Sequence, residues 1–372
     1  MTDAADAAGA PGDLDDGAAP WRRPVHEGPG SPYRAAGPAS GLHDTVPDYR
    51  TLTYEVDGRV ARLTFNRPEQ GNSITPDTPL ELADAVERAD LDPRVHVIVL
   101  SGRGKGFCGG YDLAASAEHL MDGGMAGAAP RAGTVLDPTV QMHNHDPAGT
   151  WDPMVDFAMM NRFTRGFASL LHADKPTVAK IHGFCVAGGT DIALHCDQIV
   201  IAADAKIGYP PTRVWGVPSA GLWAHRLGDQ RAKRLLLTGD TLSGREAAEW
   251  GLAVEAPEPE DLDARTEQLV QRIAAMPLNQ LMMVKLALNS ALFAQGVQNS
   301  QMISTVFDGI SRHTREGYAF QQRAAEAGFR QAVRERDGAP YDDGGPATSN
   351  VTNRHHAGHH TSDHTSDHTD RG

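Results

Sequence analysis

Most of the side chains and amides able to do chemistry lie in two glycine-rich runs. The first is Ser101-Gly102-Arg103-Gly104-Lys105-Gly106-Phe107-Cys108-Gly109-Gly110-Tyr111-Asp112-Leu113. Gly104 to Gly109 satisfies G-x-G-x-x-G, but a dinucleotide site needs a second strand ending in an acidic residue about 20 positions on. The next strand-like run is far downstream, at residues 177–181, and G-x-x-x-x-G-K-[ST] is not met either. The second run is His182-Gly183-Phe184-Cys185-Val186-Ala187-Gly188-Gly189-Thr190-Asp191, leading into Ile192-Ala193-Leu194. Gly188 and Gly189 let a ligand approach the main chain closely, and the amides at a helix start point outward without partners, a place for an anionic oxygen. Asp191 falls in the first helical turn. By itself it reads either as a complement to the helix dipole or as an acid/base group.

Other candidates are weaker. Cys108 has no base or orienting partner beside it, as a nucleophilic thiol requires. His143-Asn144-His145 lacks the further ligands of a zinc site, and no metal is expected. The histidines at 355, 356, 359, 360, 364 and 368 could hold a metal only adventitiously. His182 and His195 read as core or interface histidines.

The elements that must position these loops follow from the patterning. Residues 52–56 and 60–65, separated by Asp57-Gly58-Arg59, predict a β-hairpin. Thr78-Pro79-Leu80-Glu81 reads as a capping box opening a helix that runs to about Asp90. Residues 95–100, 177–181 and 198–202 are short apolar runs that fit buried strands, with a helical stretch over 189–196 between the last two. Strands alternating with helices indicate an α/β core, and helices alone are expected over 262–276, 277–293 and 318–336. The 372 residues thus divide into an arm (1–47), a core (48–260), a helical region (261–336) and a His-rich tail (337–372), with 114–154 a Gly/Ala/Pro-rich candidate lid. Arm and tail carry too few large apolar residues to offset the entropy of ordering.

Charge and composition exclude several classes. The net charge is −14, of which each end segment carries −4, so a mildly acidic core without a Lys/Arg block gives no nucleic-acid surface. Cys108, Cys185 and Cys196 form no Cys-x-x-Cys pair, which suits a reducing compartment. The first residues lack the basic and apolar regions of a signal peptide, and no run reaches the ~20 apolar residues of a membrane helix. A cytoplasmic protein with no membrane partner is expected.

The two loops, in this order and about 80 residues apart, resemble the enoyl-CoA hydratase/isomerase (crotonase) family. The resemblance runs from the hairpin and Asn66-Arg67-Pro68-Glu69 through Phe107–Leu113, Lys175–Gly183, Ala187–Asp197 and Ala205–Pro210. It continues through Thr238-Gly239-Asp240, Glu246–Leu252 and Glu316–Phe320, so roughly residues 50–336 are covered. It implies a spiral of ββα units followed by a helical trimerisation region, and a homotrimer or dimer of trimers. The implied ligand is an acyl-CoA thioester, with coenzyme A part of the substrate and no separate cofactor. It implies an oxyanion hole made by the amides of Cys108 and Gly188, with Asp191 as acid/base. The CoA moiety would lie along Arg67, Ser73, Ile74, Phe107, Cys108, Gly109, Gly110, Tyr111, Gly188 and Tyr209, with Arg103 and Lys105 as further candidates for its phosphates.

One departure matters. A hydratase of this family uses two glutamates; the first falls on Asp191, the second on Pro211, which has no proton to give. Asp191 would then act alone, as in an enoyl-CoA isomerase, or with Tyr209, His182, His143 or His145. Thioester hydrolysis, carbon–carbon cleavage and acyl-CoA binding without turnover remain open alternatives at this level.

Overall fold

The computed structural model of the protein describes residues 46–112, 134–135 and 137–338. Most of the expected arm, residues 113–133 and 136 of the expected lid region, and all but the first two residues of the expected tail lie outside them.

The predicted hairpin forms as β1 (Leu52–Asp57) and β2 (Val60–Phe65), paired antiparallel. Helix α1 (Thr78–Leu91) leads to β3 (Val97–Gly102), which is buried on both faces. Helices α2 (Pro138–Asn144) and α3 (Pro153–His172) precede β4 (Thr177–Ile181), β5 (Phe184–Val186) and the short helix α4 (Gly188–Ala193). Next come β6 (Gln198–Ile201), β7 (Lys206–Gly208), α5 (Trp223–Leu227), α6 (Asp229–Leu236), β8 (Thr241–Ser243) and α7 (Gly244–Glu249). Five helices close the described chain: α8 (Leu262–Ala274), α9 (Leu278–Ala294), α10 (Val297–Ser311), α11 (Arg315–Ala327) and α12 (Phe329–Gly338).

The strands fall into two sheets, one ordered β1-β2-β3-β4-β6 and the other β5-β7-β8. From β2 onward the first sheet is parallel, so the turns after β3 and β4 emerge at its carboxyl edge, where open α/β sheets bind ligands. The chain passes from β4 in the first sheet to β5 in the second and then into α4, a step that winds ββα units into a spiral.

Three local expectations are corrected. The N-cap of α1 is Asp77, which makes no side-chain cap bond, and Glu81 instead accepts hydrogen bonds from Arg50 N, Thr51 N and Thr51 Oγ1. The single helix expected over 318–336 is two, broken at Gly328, whose φ of +84° is left-handed backbone that favours glycine. Finally, α10 lies inside the expected helical region but between the helices expected there. Its run Val297-Gln298-Asn299-Ser300-Gln301 is rich in weak helix formers; packing against α3 and the segment 217–220 supplies what propensity does not. Among the described residues, no helix is long and apolar enough to cross a membrane.

Candidate active site

The two glycine-rich loops meet along a short parallel bridge between Cys108 and Cys185. Phe107 N and Cys108 N both donate to the Phe184 carbonyl, at 2.8 and 3.2 Å, and Val186 N donates to the Cys108 carbonyl at 3.0 Å. The Cys108 amide therefore faces a protein acceptor, which corrects the expectation that it meets a substrate oxygen. Its thiol is buried and pushed up to about 12 by burial, so it is not a poised nucleophile either.

Two residues on, the loop turns over. Gly110 N is directed at Cys108 Sγ (3.5 Å), and Gly110 has φ +97°, a conformation that reverses the direction of the amides beyond it. Ile74 N donates to the Gly110 carbonyl (2.8 Å) and Asp112 N to the Ile74 carbonyl (3.0 Å), so both bonds of this second bridge point toward Ile74. The Tyr111 N–H between them then points to the opposite side. Val186, Ala187 and Gly188 pack against this turn: a Cβ on Gly110 would sit 3.3 Å from Gly188 N.

The second loop enters α4 through Ala187, which holds φ 52° and ψ −132°, backbone that L side chains rarely adopt. Ala187 is fixed by its N–H on the Gly208 carbonyl (3.1 Å) and by its carbonyl, which accepts from Thr190 N and Thr190 Oγ1. This sharp entry sets the Gly188 amide at the start of the helix. A Cβ on Gly188 would come within 2.7 Å of Tyr111 Cε2 and 2.8 Å of Ile74 Cδ1, so glycine is required for close approach.

Asp191, one turn later, is fully buried. Its Oδ1 accepts from Ala220 N (3.1 Å) and its Oδ2 from Ser219 Oγ (3.3 Å). Burial, reinforced by the nearby Asp308 carboxyl, raises Asp191 well above the usual carboxylate range against those two donors. The donors are braced by α10. Thr305 Oγ1 donates to the Ser219 carbonyl (3.4 Å), Gln301 Nε2 to the Ala220 carbonyl (3.5 Å), and Val217 N to Asp308 Oδ1 (3.1 Å). Behind Asp191, His195 Nδ1 pairs with the Asp191 carbonyl and Nε2 with Gln301, and burial lowers this imidazole to about 3.

The remaining expected residues separate into clear groups. Ile74 and Tyr111 line the approach to Gly188, and Gly109 is exposed on the loop. The Tyr111 ring also meets Phe163 edge-on at 5.5 Å, and its hydroxyl oxygen is sealed from solvent without a hydrogen-bond partner. Phe107 is core instead, fully buried with its ring edge-on to Phe65. Arg67 clamps the first loop from within, through Ser73 O (2.7 Å), Ser73 Oγ and Asp112 (2.8 Å), while Arg103 and Lys105 are exposed. Tyr209 is buried with its hydroxyl on the Val217 carbonyl (3.3 Å).

None of the expected helper histidines shares the Asp191 pair of donors. His182 Nε2 bonds the Gly104 carbonyl, His143 is exposed, and the His145 ring packs at a tilt against His313 and Tyr318. Among the described residues, no group of three or more His, Cys, Asp or Glu could hold a metal ion. Sequence reading missed Ser219, Ala220 and the α10 brace; they lie 28 residues or more beyond Asp191 in a run with no motif of its own.

Comparison with known proteins agrees with this architecture. The enoyl-CoA hydratase/isomerase family model matches residues 55–128 and 155–326. A (E)-benzylidenesuccinyl-CoA hydratase of Thauera aromatica is 30% identical over 76% of this chain and 99% of its own length. The 1,2-epoxyphenylacetyl-CoA isomerase of Escherichia coli is 29% identical over 63% of this chain and 80% of its own. A crystal structure of an enoyl-CoA hydratase from Mycobacterium smegmatis is 68% identical, covers 77% of this chain and 93% of its own, and superposes with a TM-score of 0.72. A sheet edge carrying two apposed glycine loops, a buried acid one turn beyond them, and a match across most of the described residues together make this chain a member of the enoyl-CoA hydratase/isomerase family, an enzyme that processes acyl-CoA thioesters.

Proposed function

We propose that the enzyme adds water to, or shifts the double bond of, an enoyl-CoA thioester through a bound enolate. In this reading the amides of Tyr111 and Gly188 receive the thioester oxygen, and Asp191 moves the proton. An α-proton of a thioester is weakly acidic, and its transfer places negative charge on the carbonyl oxygen. Two fixed donors in a dry site lower that barrier, and removing one such donor typically costs ~3–4 kcal/mol.

The observation that carries the reading is the state of Asp191. It is buried, has no cation among its hydrogen-bond partners, and is raised by burial well above the usual carboxylate range, which favours a carboxyl that holds a proton it can pass on. For hydration, Asp191 gives its proton to Cα while it takes one from the water whose oxygen bonds to Cβ. The π pair of the double bond forms the new Cα–H bond by way of the enolate, and the carboxyl is unchanged at the end. A single acid suffices, which accommodates Pro211 at the position of the second glutamate.

The same proposal includes assembly into a homotrimer or dimer of trimers. Met283, Leu286, Leu288, Met302 and Phe307 on α9 and α10 are exposed apolar side chains of the kind a subunit interface covers. Three buried, unpaired cysteines suit a reducing, cytoplasmic setting.

The test is incubation with 2-butenoyl-, 2-octenoyl- and cinnamoyl-CoA and their 3-enoyl counterparts where these exist, followed by mass spectrometry and chromatography. A gain of water or a shifted double bond is expected. Free CoA or a shortened acyl chain would instead indicate thioester hydrolysis or carbon–carbon cleavage, and no change on any thioester would leave only binding.

A further inference from the structure

With Pro211 unable to act, a second polar group beside Asp191 has to come from elsewhere in the fold. Tyr209 is used on the Val217 carbonyl, and Ser219 Oγ already donates to Asp191. The Tyr111 hydroxyl is different: it is shut off from solvent and lies beside the Ser219 side chain without a well-formed hydrogen bond, the Ser219 O–H being given to Asp191. Its ring covers Gly188 and rests against Phe163, so the phenol is fixed in direction. Buried polar atoms without partners are rare in folded proteins, and one fixed next to an acid and two loop amides points to a ligand that completes it.

We propose that Tyr111 is a catalytic residue whose hydroxyl donates a hydrogen bond to the oxygen at Cβ of the acyl chain, holding the attacking water and then the product hydroxyl. This rests on the enoyl-CoA reading given above and extends it. Tyr111 keeps its proton throughout. The water O–H bond breaks toward Asp191, the oxygen–Cβ bond forms, and Asp191 supplies the proton of the new Cα–H bond, so Tyr111 contributes position and polarity alone. One residue thereby serves both ends of the reacting unit, its amide at the thioester oxygen and its phenol at Cβ. The ligand class that fits is a 2-enoyl or 3-hydroxyacyl thioester.

The experiment compares wild type, Tyr111→Phe and Asp191→Asn in two assays. One is hydration of 2-butenoyl-, 2-octenoyl- and cinnamoyl-CoA; the other is exchange of the α-protons of butanoyl-CoA in deuterium oxide, which needs the acid and the amides but no oxygen at Cβ. Tyr111→Phe should lower kcat for hydration by ~100-fold or more with KM within about threefold, and leave α-exchange within about threefold. Asp191→Asn should lose both. The midpoint of thermal unfolding of Tyr111→Phe should change little, because the oxygen removed makes no well-formed hydrogen bond and Ser219 keeps its bond to Asp191. Hydration by Tyr111→Phe within threefold of wild type would overturn the proposal and leave the enolate reading standing. Equal loss of hydration and exchange would also overturn it, since the phenol would then merely shape the site. If wild type exchanged α-protons or shifted double bonds yet hydrated none of the three thioesters, the assigned role would fall while the enolate chemistry stood. If it did neither, both would fall.

Discussion

Two buried aspartates in the first turns of their helices, Asp156 in α3 and Asp191 in α4, have opposite chemistry. Asp156 Oδ2 accepts from Trp151 Nε1 (2.8 Å), Asn144 Nδ2 (3.0 Å) and His313 Nε2 (2.7 Å), and His313 Nδ1 in turn meets Tyr318 Oη. Burial pulls the Asp156 carboxyl upward, but the bonds from His313 and Trp151 outweigh it and hold the group below its ordinary range. Asp191 receives longer bonds, at 3.1 and 3.3 Å, from the neutral groups of Ala220 and Ser219, and burial wins. Depth alone therefore does not make an acid catalytic. The strength of its donors decides, and the fold gives one aspartate long bonds from neutral groups and the other shorter ones that include a histidine.

The contrast can be broken most severely at the acid itself. Asp191→Asn should lower turnover by ~100-fold or more while CoA-thioester affinity stays within about tenfold, measured by kinetics and calorimetry, because the loop amides remain. The same change should raise the thermal midpoint at neutral pH. Asp191 is raised in the folded state, so its stability contribution is full below 3.8 and is lost as pH rises; the gain in Asp191→Asn should shrink as pH is lowered toward 3.8. A variant that is active, or less stable than wild type, would put Asp191 in the structural class.

At the other aspartate the loss should be of stability. Asp156→Ala leaves the Asn144, His313 and Trp151 donors without their acceptor and should cost about 3 kcal/mol in urea unfolding, with kcat of the folded fraction within about threefold. A large kcat defect with little loss of stability would erase the distinction.

A smaller effect is expected from pH on the wild type. His195 and His145, lowered to about 3 and about 4 from 6.5, stay neutral when folded. Below 6.5 the unfolded chain takes up protons the folded chain refuses, so stability is full above that pH and drains as pH falls toward about 4 and then 3. Asp156 adds to this only below 3.8, where its favoured ionised form is lost. Asp191 and Asp308 gain stability over the same range, so the drain is read as a difference: His195→Asn should flatten it relative to wild type between pH 6.5 and about 4, and an unchanged pH slope would contradict the burial of that ring. Smallest of all, Ala187→Gly should relieve backbone strain of about 1 kcal/mol, seen as a higher unfolding midpoint, while loosening the Gly188 amide and lowering kcat severalfold.

Legibility in the sequence follows the same division. The hairpin, strands β3, β4 and β6, both loops and Asp191 itself were readable because local patterning and turn chemistry specify them. The donors of Asp191 were not, since Ser219 and Ala220 owe their roles to contacts across the fold. Nor could the register of the first loop be read: whether an amide faces a ligand depends on the Cys108–Cys185 and Ile74–Tyr111 bridges and the turn at Gly110, which are tertiary facts. Asp156, with no motif around it, gave no sign of its network.

The brace from α10 has a consequence for how the enzyme comes into being. Thr305, Asp308 and Gln301 fasten the strap that carries Ser219 and Ala220, so the environment of Asp191 is unfinished until residues some 110 positions later have been made and folded. A nascent chain still lacking α10 can already have both sheets in place and yet hold its acid in the wrong setting. Activity thus arrives late during synthesis, after the scaffold, and a nick between residues 295 and 311 would silence the enzyme while leaving most of its fold intact.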